Sequence, residues 1–74
     1  MEQDNHEKYR RLGLNIAYYR KLRGFSQMQL AEKVNVSRTH MSRIEIAECA
    51  VSLDVVFKIA DQLDIEVDKL FQWK

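Results

Sequence analysis

Within VNVSRTHMSRIE, residues 34 to 45, the hydrogen-bond donors Ser37, Arg38, Thr39, Ser42 and Arg43 crowd into less than two helical turns. Two of them are guanidiniums, which stay charged at any physiological pH and present a rigid fork of N–H groups. A cluster of this kind suits acceptors: carboxylates, phosphates or the edges of nucleotide bases. It is poorly suited to catalysis. No nucleophile stands beside a base, no glycine loop could cradle a phosphate and no paired carboxylates occupy an apolar run, so an enzyme is not expected. His6, His40 and Cys49 lack the spacing of metal ligands, and neither a metal nor another cofactor is expected.

Such residues must be positioned by a scaffold, and the length limits what that scaffold can be. A chain of 74 residues makes one domain; at this size only about 60–65% of the unfolded surface is buried, so the core is marginal and self-association would help it. There is no proline, glycine occurs only at positions 13 and 24, and the 46% of hydrophobic residues fall in short periodic groups. These features point to an all-α fold and away from a membrane span or a secretory signal. The single Cys49 has no partner for a disulfide within the chain, which suits a reducing compartment, and a cytoplasmic protein is expected.

A net charge of +1 hides a strong asymmetry. Residues 8 to 43 carry nine Lys or Arg against the single acid Glu32, whereas residues 44 to 74 carry three bases against seven acids, and three more acids stand before residue 8. A chain divided in this way can attract a polyanion to one face while repelling it from another.

Periodicity organises the chain into five helices. Lys8 to Arg23 places Leu12, Ile16 and Tyr19 on one side, with Gly24 where a C-terminal cap would fall. Ser26-Gln27-Met28-Gln29 has the pattern of a capping box and opens a second helix, about residues 27–34, with Leu30, Ala31 and Val34 inward. Asn35 suits the left-handed conformation of a tight turn. Ser37 then caps a third helix, about 38–46. Ser52 caps a fourth, with Leu53, Val56, Phe57, Ala60 and Leu63 as its apolar stripe. A short fifth helix is expected at about 66–72. Residues 1–7 read as a disordered tail and 8–74 as the domain.

On a wheel of ~100° per residue, Met41 and Ile44 face the core, while Thr39, Ser42, Arg43 and Ile46 point away, with Arg38 and His40 on the flanks. Helices two and three, joined at Asn35-Val36, make a helix-turn-helix whose second member can enter a major groove.

At this point the sequence resembles the Cro and phage-repressor type of helix-turn-helix regulators. The likeness rests on LGLNIAYYRKLRGFSQMQLAEKVNVSRTHMSRIE followed by VSLDVVFKIADQLDIEVDKLF, nearly the whole chain. It implies a compact five-helix, lambda-repressor-like domain, usually a homodimer, that reads a near-palindromic operator in double-stranded DNA. Gln27 matches the family's phosphate-clamping position. Ser37, Arg38, Thr39 and Arg43 match its base-reading positions, and arginine is the side chain best suited to bidentate contact with guanine, so Arg38 and Arg43 are expected to read G. Ser42 suits a phosphate equally well, His40 a phosphate at the flank, and Arg11 a flanking phosphate or a solvated helix start. Arg20 and Glu45 match a family ion pair joining helix one to helix three. Leu70, Phe71 and Trp73 are expected to divide between core and dimer seam, with Phe71 favoured for the core and Trp73 for the seam.

Departures from the family pattern lie in the turns. Asn35 stands where glycine is frequent. After the third helix, Ile46, Ala47 and Glu48 replace a glycine and polar residues, which lets the helix run longer and puts the loop's phosphate contacts in question. Ile46 is suited to a thymine methyl or to a protein contact. The expected function is a transcriptional repressor or controller: a phage-type repressor, a controller of a restriction-modification operon, or the DNA-binding half of an antitoxin. The alternative is a protein-interaction module of the same fold, such as an antitoxin or anti-regulator, binding a protein through helices four and five.

Overall fold

The computed structural model describes residues 5–73. Four α-helices, α1 (His6–Leu22), α2 (Gln27–Lys33), α3 (Arg38–Glu45) and α4 (Leu53–Gln62), precede a terminal 3-10 helix, Val67–Phe71. The described residues are helical or irregular, with no strand among them. Two expectations are thereby corrected. The fifth element is a 3-10 turn rather than an α-helix, since only five residues separate its caps at Glu66 and Gln72. The helix after the expected tail begins at His6, so His6 and Glu7 belong to α1, where Glu7 accepts from both Arg10 and Arg11 one turn on. Those two guanidiniums hold the Glu7 carboxyl well below the usual carboxylate range. Residues 1–4 of the expected tail lie outside the described residues.

Helix starts follow the serines. Ser26, Ser37 and Ser52 each adopt extended backbone and accept from the N–H three residues on, and Ser26 completes a reciprocal capping box with Gln29. Each such cap is worth about 1 kcal/mol. Helix ends share a second device. After α1, α2, α3 and α4 the chain turns through positive φ at Gly24, Asn35, Ala47 and Asp64. In each case the following N–H bonds back to the carbonyl five residues earlier: Phe25 to Arg20, Val36 to Ala31, Glu48 to Arg43 and Ile65 to Ala60, at 2.9–3.1 Å. This is the Schellman arrangement, which satisfies carbonyls that a helix end otherwise leaves orphaned.

The third of these turns decides where α3 stops. Ala47 does what a glycine would do, at φ 59°, so α3 ends at Glu45 and does not run on. A left-handed alanine costs roughly 1–2 kcal/mol. Its buried methyl returns roughly 0.8 kcal/mol, and glycine would lose further chain entropy. Ala47→Gly should therefore shift stability by less than about 1 kcal/mol. Ala47→Val puts a branched side chain at positive φ in a filled site, and should cost about 2 kcal/mol or more. Urea unfolding midpoints of the two variants check the small shift of the first and the loss of the second.

The core is built from Leu12 and Ile16 of α1, Leu30 and Ala31 of α2 with Val34 after it, Met41 and Ile44 of α3, Val56, Ile59 and Ala60 of α4 with Leu63 after it, and Leu70. Tyr19, Phe25, Cys49 and Val51 close its edges. Helix α4 departs from the expected stripe. Ile59 is fully buried, whereas Leu53 and Phe57 stand about half exposed. The apolar residues of LDVVFKIADQL cover more than half of the helix circumference. Which part turns inward is set by the elements packed on it, the 3-10 helix and α2.

Gly13 fixes how closely α1 can approach α3. A Cβ built there would lie 2.5 Å from the Glu45 carbonyl oxygen and 2.6 Å from that of Ile44. Both contacts are backbone, in a helix end locked by its terminal turn, so neither can swing aside. Gly13→Ala gains about 1 kcal/mol of helix propensity and, because the clash is with two backbone carbonyls, meets an overpacking cost at or above the upper end of the usual range of roughly 1–3 kcal/mol. We expect net destabilisation of at least about 1 kcal/mol, and a displaced α3. Denaturant titration together with amide chemical shifts of α3 would show it; an unchanged or raised midpoint would count against this close approach.

Two long-range ties complete the frame. Asn15 Nδ2 donates to the carbonyls of Leu70 and Gln72, each at 2.9 Å, which clamps the 3-10 helix to α1. Arg23 Nε donates to the Leu63 carbonyl at 2.7 Å and Nη2 to that of Asp64 at 3.1 Å, so a cation caps the negative end of α4.

Candidate nucleic-acid interface

The interface is assembled from α2, the turn after it and α3. The two helices meet through Leu30, Ala31, Val34, Met41 and Ile44, all buried. Ala31 at the crossing has no side chain beyond its methyl to hold the axes apart. With Met41 and Ile44 committed inward, α3 must turn its opposite side to solvent. Thr39 and Arg43 are exposed there and Ser42 is half-buried, while Ser37, Arg38 and His40 are exposed at the start and flanks of the helix. None of the five exposed residues uses its side chain in an ion pair within the described residues, and Ser37 spends only its oxygen, on the His40 N–H at 3.0 Å.

Behind this row lies a buried polar lock. Arg20 Nε and Nη2 donate to the two carboxylate oxygens of Glu45 at 2.7 and 3.1 Å, and Nη1 donates to the Phe25 carbonyl at 2.8 Å. Arg20 is 7% exposed and Glu45 6%. This bidentate pair joins α1 to the last turn of α3 and fixes the helix about its own axis, which a purely apolar contact does loosely. Removing the Arg20 charge from the basic surface also sharpens where the free cations lie.

Gln27 enters the same lock. Its Nε2 donates to Glu45 Oε1 at 2.9 Å, so one amide hydrogen is committed to α3 and the other remains. The backbone N–H groups of Gln27 and Met28, in the first turn of α2, have no partner within the helix. The side chain expected on a phosphate thus also braces α3. Glu45 Oε1, which already accepts from Arg20 Nη2, takes Gln27 Nε2 as a second donor.

Other expected residues sit elsewhere. Arg11 is half-buried near the start of α1, 3.1 Å from Glu7 and 5.8 Å over the Trp73 ring, so it is held away from the α3 row by partners of its own. Leu70 is fully buried and belongs to the core, not to a dimer seam. Phe71, favoured for the core, is 41% exposed beside Trp73. Cys49 is half-buried against the core. Ile46 stands exposed at the cap of α3. Asn15 and Arg23, which hold the frame together, were not singled out in the sequence.

A short helix pair at a tight turn, the second member presenting unpaired donors and braced from behind, defines a helix-turn-helix DNA-binding domain. Residues 16–70 match the helix-turn-helix family model, and the chain belongs to that family of DNA-binding transcriptional regulators. It is similar to an uncharacterised helix-turn-helix-type transcriptional regulator of Methanocaldococcus jannaschii, 36% identical over 76% of this chain and 85% of the relative. It is also similar to the transcriptional regulator SinR of Bacillus subtilis, 34% identical over 85% of this chain but 58% of SinR. Among solved structures, the restriction-modification controller protein C.AhdI of Aeromonas hydrophila superposes with a TM-score of 0.84 at 31% identity, covering 88% of this chain and 98% of that one. SinR in complex with DNA gives 0.77 at 34% identity, over 82% and 98%. A complex of SinR with the SinI protein gives the same score and identity over 82% of this chain and 60% of that one. No described helix is long and apolar enough to cross a membrane, and no described group of three or more His, Cys, Asp or Glu could hold a metal ion.

Proposed function

We propose that the protein regulates transcription by binding a near-palindromic operator as a homodimer, each subunit laying α3 in a major groove about one helical turn from its mate. The observation that carries this reading is the row of unpaired donors on α3, held in register by the buried Arg20–Glu45–Gln27 lock. Arg38 and Arg43 read guanine through O6 and N7, while Thr39 and Ser37 meet base edges or a thymine methyl. Gln27, Ser42 and His40 hold phosphates on either side; these contacts supply register and no sequence information. The regulator structure solved with DNA supports the same use of this fold.

The dimer seam is assigned to exposed apolar side chains outside the α3 row. Phe71, Trp73 and Leu53 border one groove with Tyr9 and Val51, and the two aromatic rings lie 6.4 Å apart. Such a patch is what a marginal core gains by covering.

Selection of bound duplexes from a random-sequence pool near physiological salt tests the proposal. Enrichment of a two-fold symmetric site is expected. Enrichment of an asymmetric site would remove the homodimer, and no enrichment would remove sequence reading. The second reading, a protein-interaction module acting through α4 and the 3-10 helix, is favoured by the acids gathered there and by the regulator solved with a protein partner. Salt separates the two. Release of counterions from several phosphates makes log affinity fall steeply with log salt, whereas a mainly apolar contact responds weakly.

A further inference from the structure

Two surfaces outside the interface just described are unlike each other and complementary. On α1, Leu14, Tyr18 and Leu22 recur every four residues and are 53%, 59% and 62% exposed. On a wheel they point ~180° from the buried side of that helix. They form a raised apolar stripe along ~12 Å of helix, and Lys21 stands exposed and free of any described ion pair on the same side, where Arg10 is already tied to Glu7. The second surface is a groove between α4 and the segment leading into the 3-10 helix. Its apolar lining is Phe57, Ala60, Ile65 and Val67, and Asp61, Asp64 and Glu66 line it as carboxylates. All three acids are exposed, and Phe57 is 49% exposed.

Neither surface is self-complementary. Two copies of the groove face to face would oppose six carboxylates, and two ridges would give Lys21 no free acid to meet, since Glu7 is held by Arg10 and Arg11. Ridge against groove pairs apolar with apolar and base with acid, in the same sense as the division of charge between the two halves of the sequence.

We propose that the α1 ridge of one copy docks in the α4 groove of a second copy, a head-to-tail contact distinct from the two-fold seam. A contact between unlike surfaces leaves a free groove on the copy that gave its ridge and a free ridge on the copy that gave its groove, so it links successive dimers and does not close on itself. On DNA it makes occupancy of neighbouring sites cooperative. The contact itself involves protein alone, so it stands or falls independently of the operator reading.

Sedimentation velocity of the full chain at low salt, without DNA, tests it with two surface variants, Tyr18→Glu for the ridge and Phe57→Lys for the groove. Wild-type weight-average mass is expected to rise beyond the dimer with concentration and to fall back as salt is added. Each variant alone loses this growth, with association weakened about tenfold or more. Mixed in equal amounts they recover growth, because the two intact grooves of each Tyr18→Glu dimer meet the intact ridges of Phe57→Lys dimers. Circular dichroism confirms that both remain folded. Growth by both variants equal to that of wild type, no growth by wild type itself, or a mixture that behaves as the sum of its parts would each overturn the contact.

Discussion

Replacing Glu45 by alanine should cost about 3–5 kcal/mol of folding stability, because it leaves the Arg20 guanidinium buried without its counter-charge. A domain of this size holds about 4–11 kcal/mol in all, so the loss would remove a large share of it. Arg20 would keep the Phe25 carbonyl, which satisfies one N–H and none of the charge. Gln27 would lose its acceptor at the same stroke. The urea midpoint of Glu45→Ala measures the first effect, and amide exchange in α3 the second. A loss below about 1 kcal/mol, typical of an exposed ion pair, would show that the lock is not what holds α3 in place. Arg10→Ala is the natural contrast: its partner Glu7 is exposed beside it, water screens the pair, and the midpoint should barely move.

Arg38→Ala and Arg43→Ala should each lower affinity for the selected operator by about 1–3 kcal/mol and relax preference at one base position per half-site. Neither side chain touches the core, so stability should be unchanged. This combination of intact fold and lost selectivity distinguishes a base-reading residue from a phosphate-binding one. Removal of an arginine that holds only a phosphate weakens binding to all duplexes alike and lowers the salt slope by about one. Fluorescence anisotropy over a salt series, on the operator and on a scrambled duplex, separates the two patterns.

The fold and the interface differ in how much of each the sequence discloses. Helix starts were legible because Ser26, Ser37 and Ser52 act within three residues of themselves. The packing of α2 on α3 was legible because Leu30, Ala31, Val34, Met41 and Ile44 repeat at a spacing only one face of a helix can satisfy. The end of α3 misled, since alanine carries no mark of a left-handed turn; only the carbonyls waiting to be bonded impose it. On α4 the pattern was too rich, and Leu53 and Phe57 fitted a helical stripe as well as Ile59 did. Ties such as Asn15 to Leu70 and Arg23 to Leu63 join residues 55 and 40 positions apart, beyond what local spacing can express. The donor row on α3 was visible from the outset. The double use of Gln27 was not, because bracing and binding call for the same amide.

The central claim is that the outer face of α3 reads bases. Its most direct test is the affinity of wild type, Arg38→Ala and Arg43→Ala for every single base-pair substitution across one half-site of the selected operator, measured at fixed salt. Each variant is expected to become indifferent to substitution at one guanine position, a different one for each arginine, and to keep the wild-type pattern elsewhere. Variants that weaken uniformly at all positions, or that retain every preference, would contradict it and leave the donors of α3 as phosphate contacts.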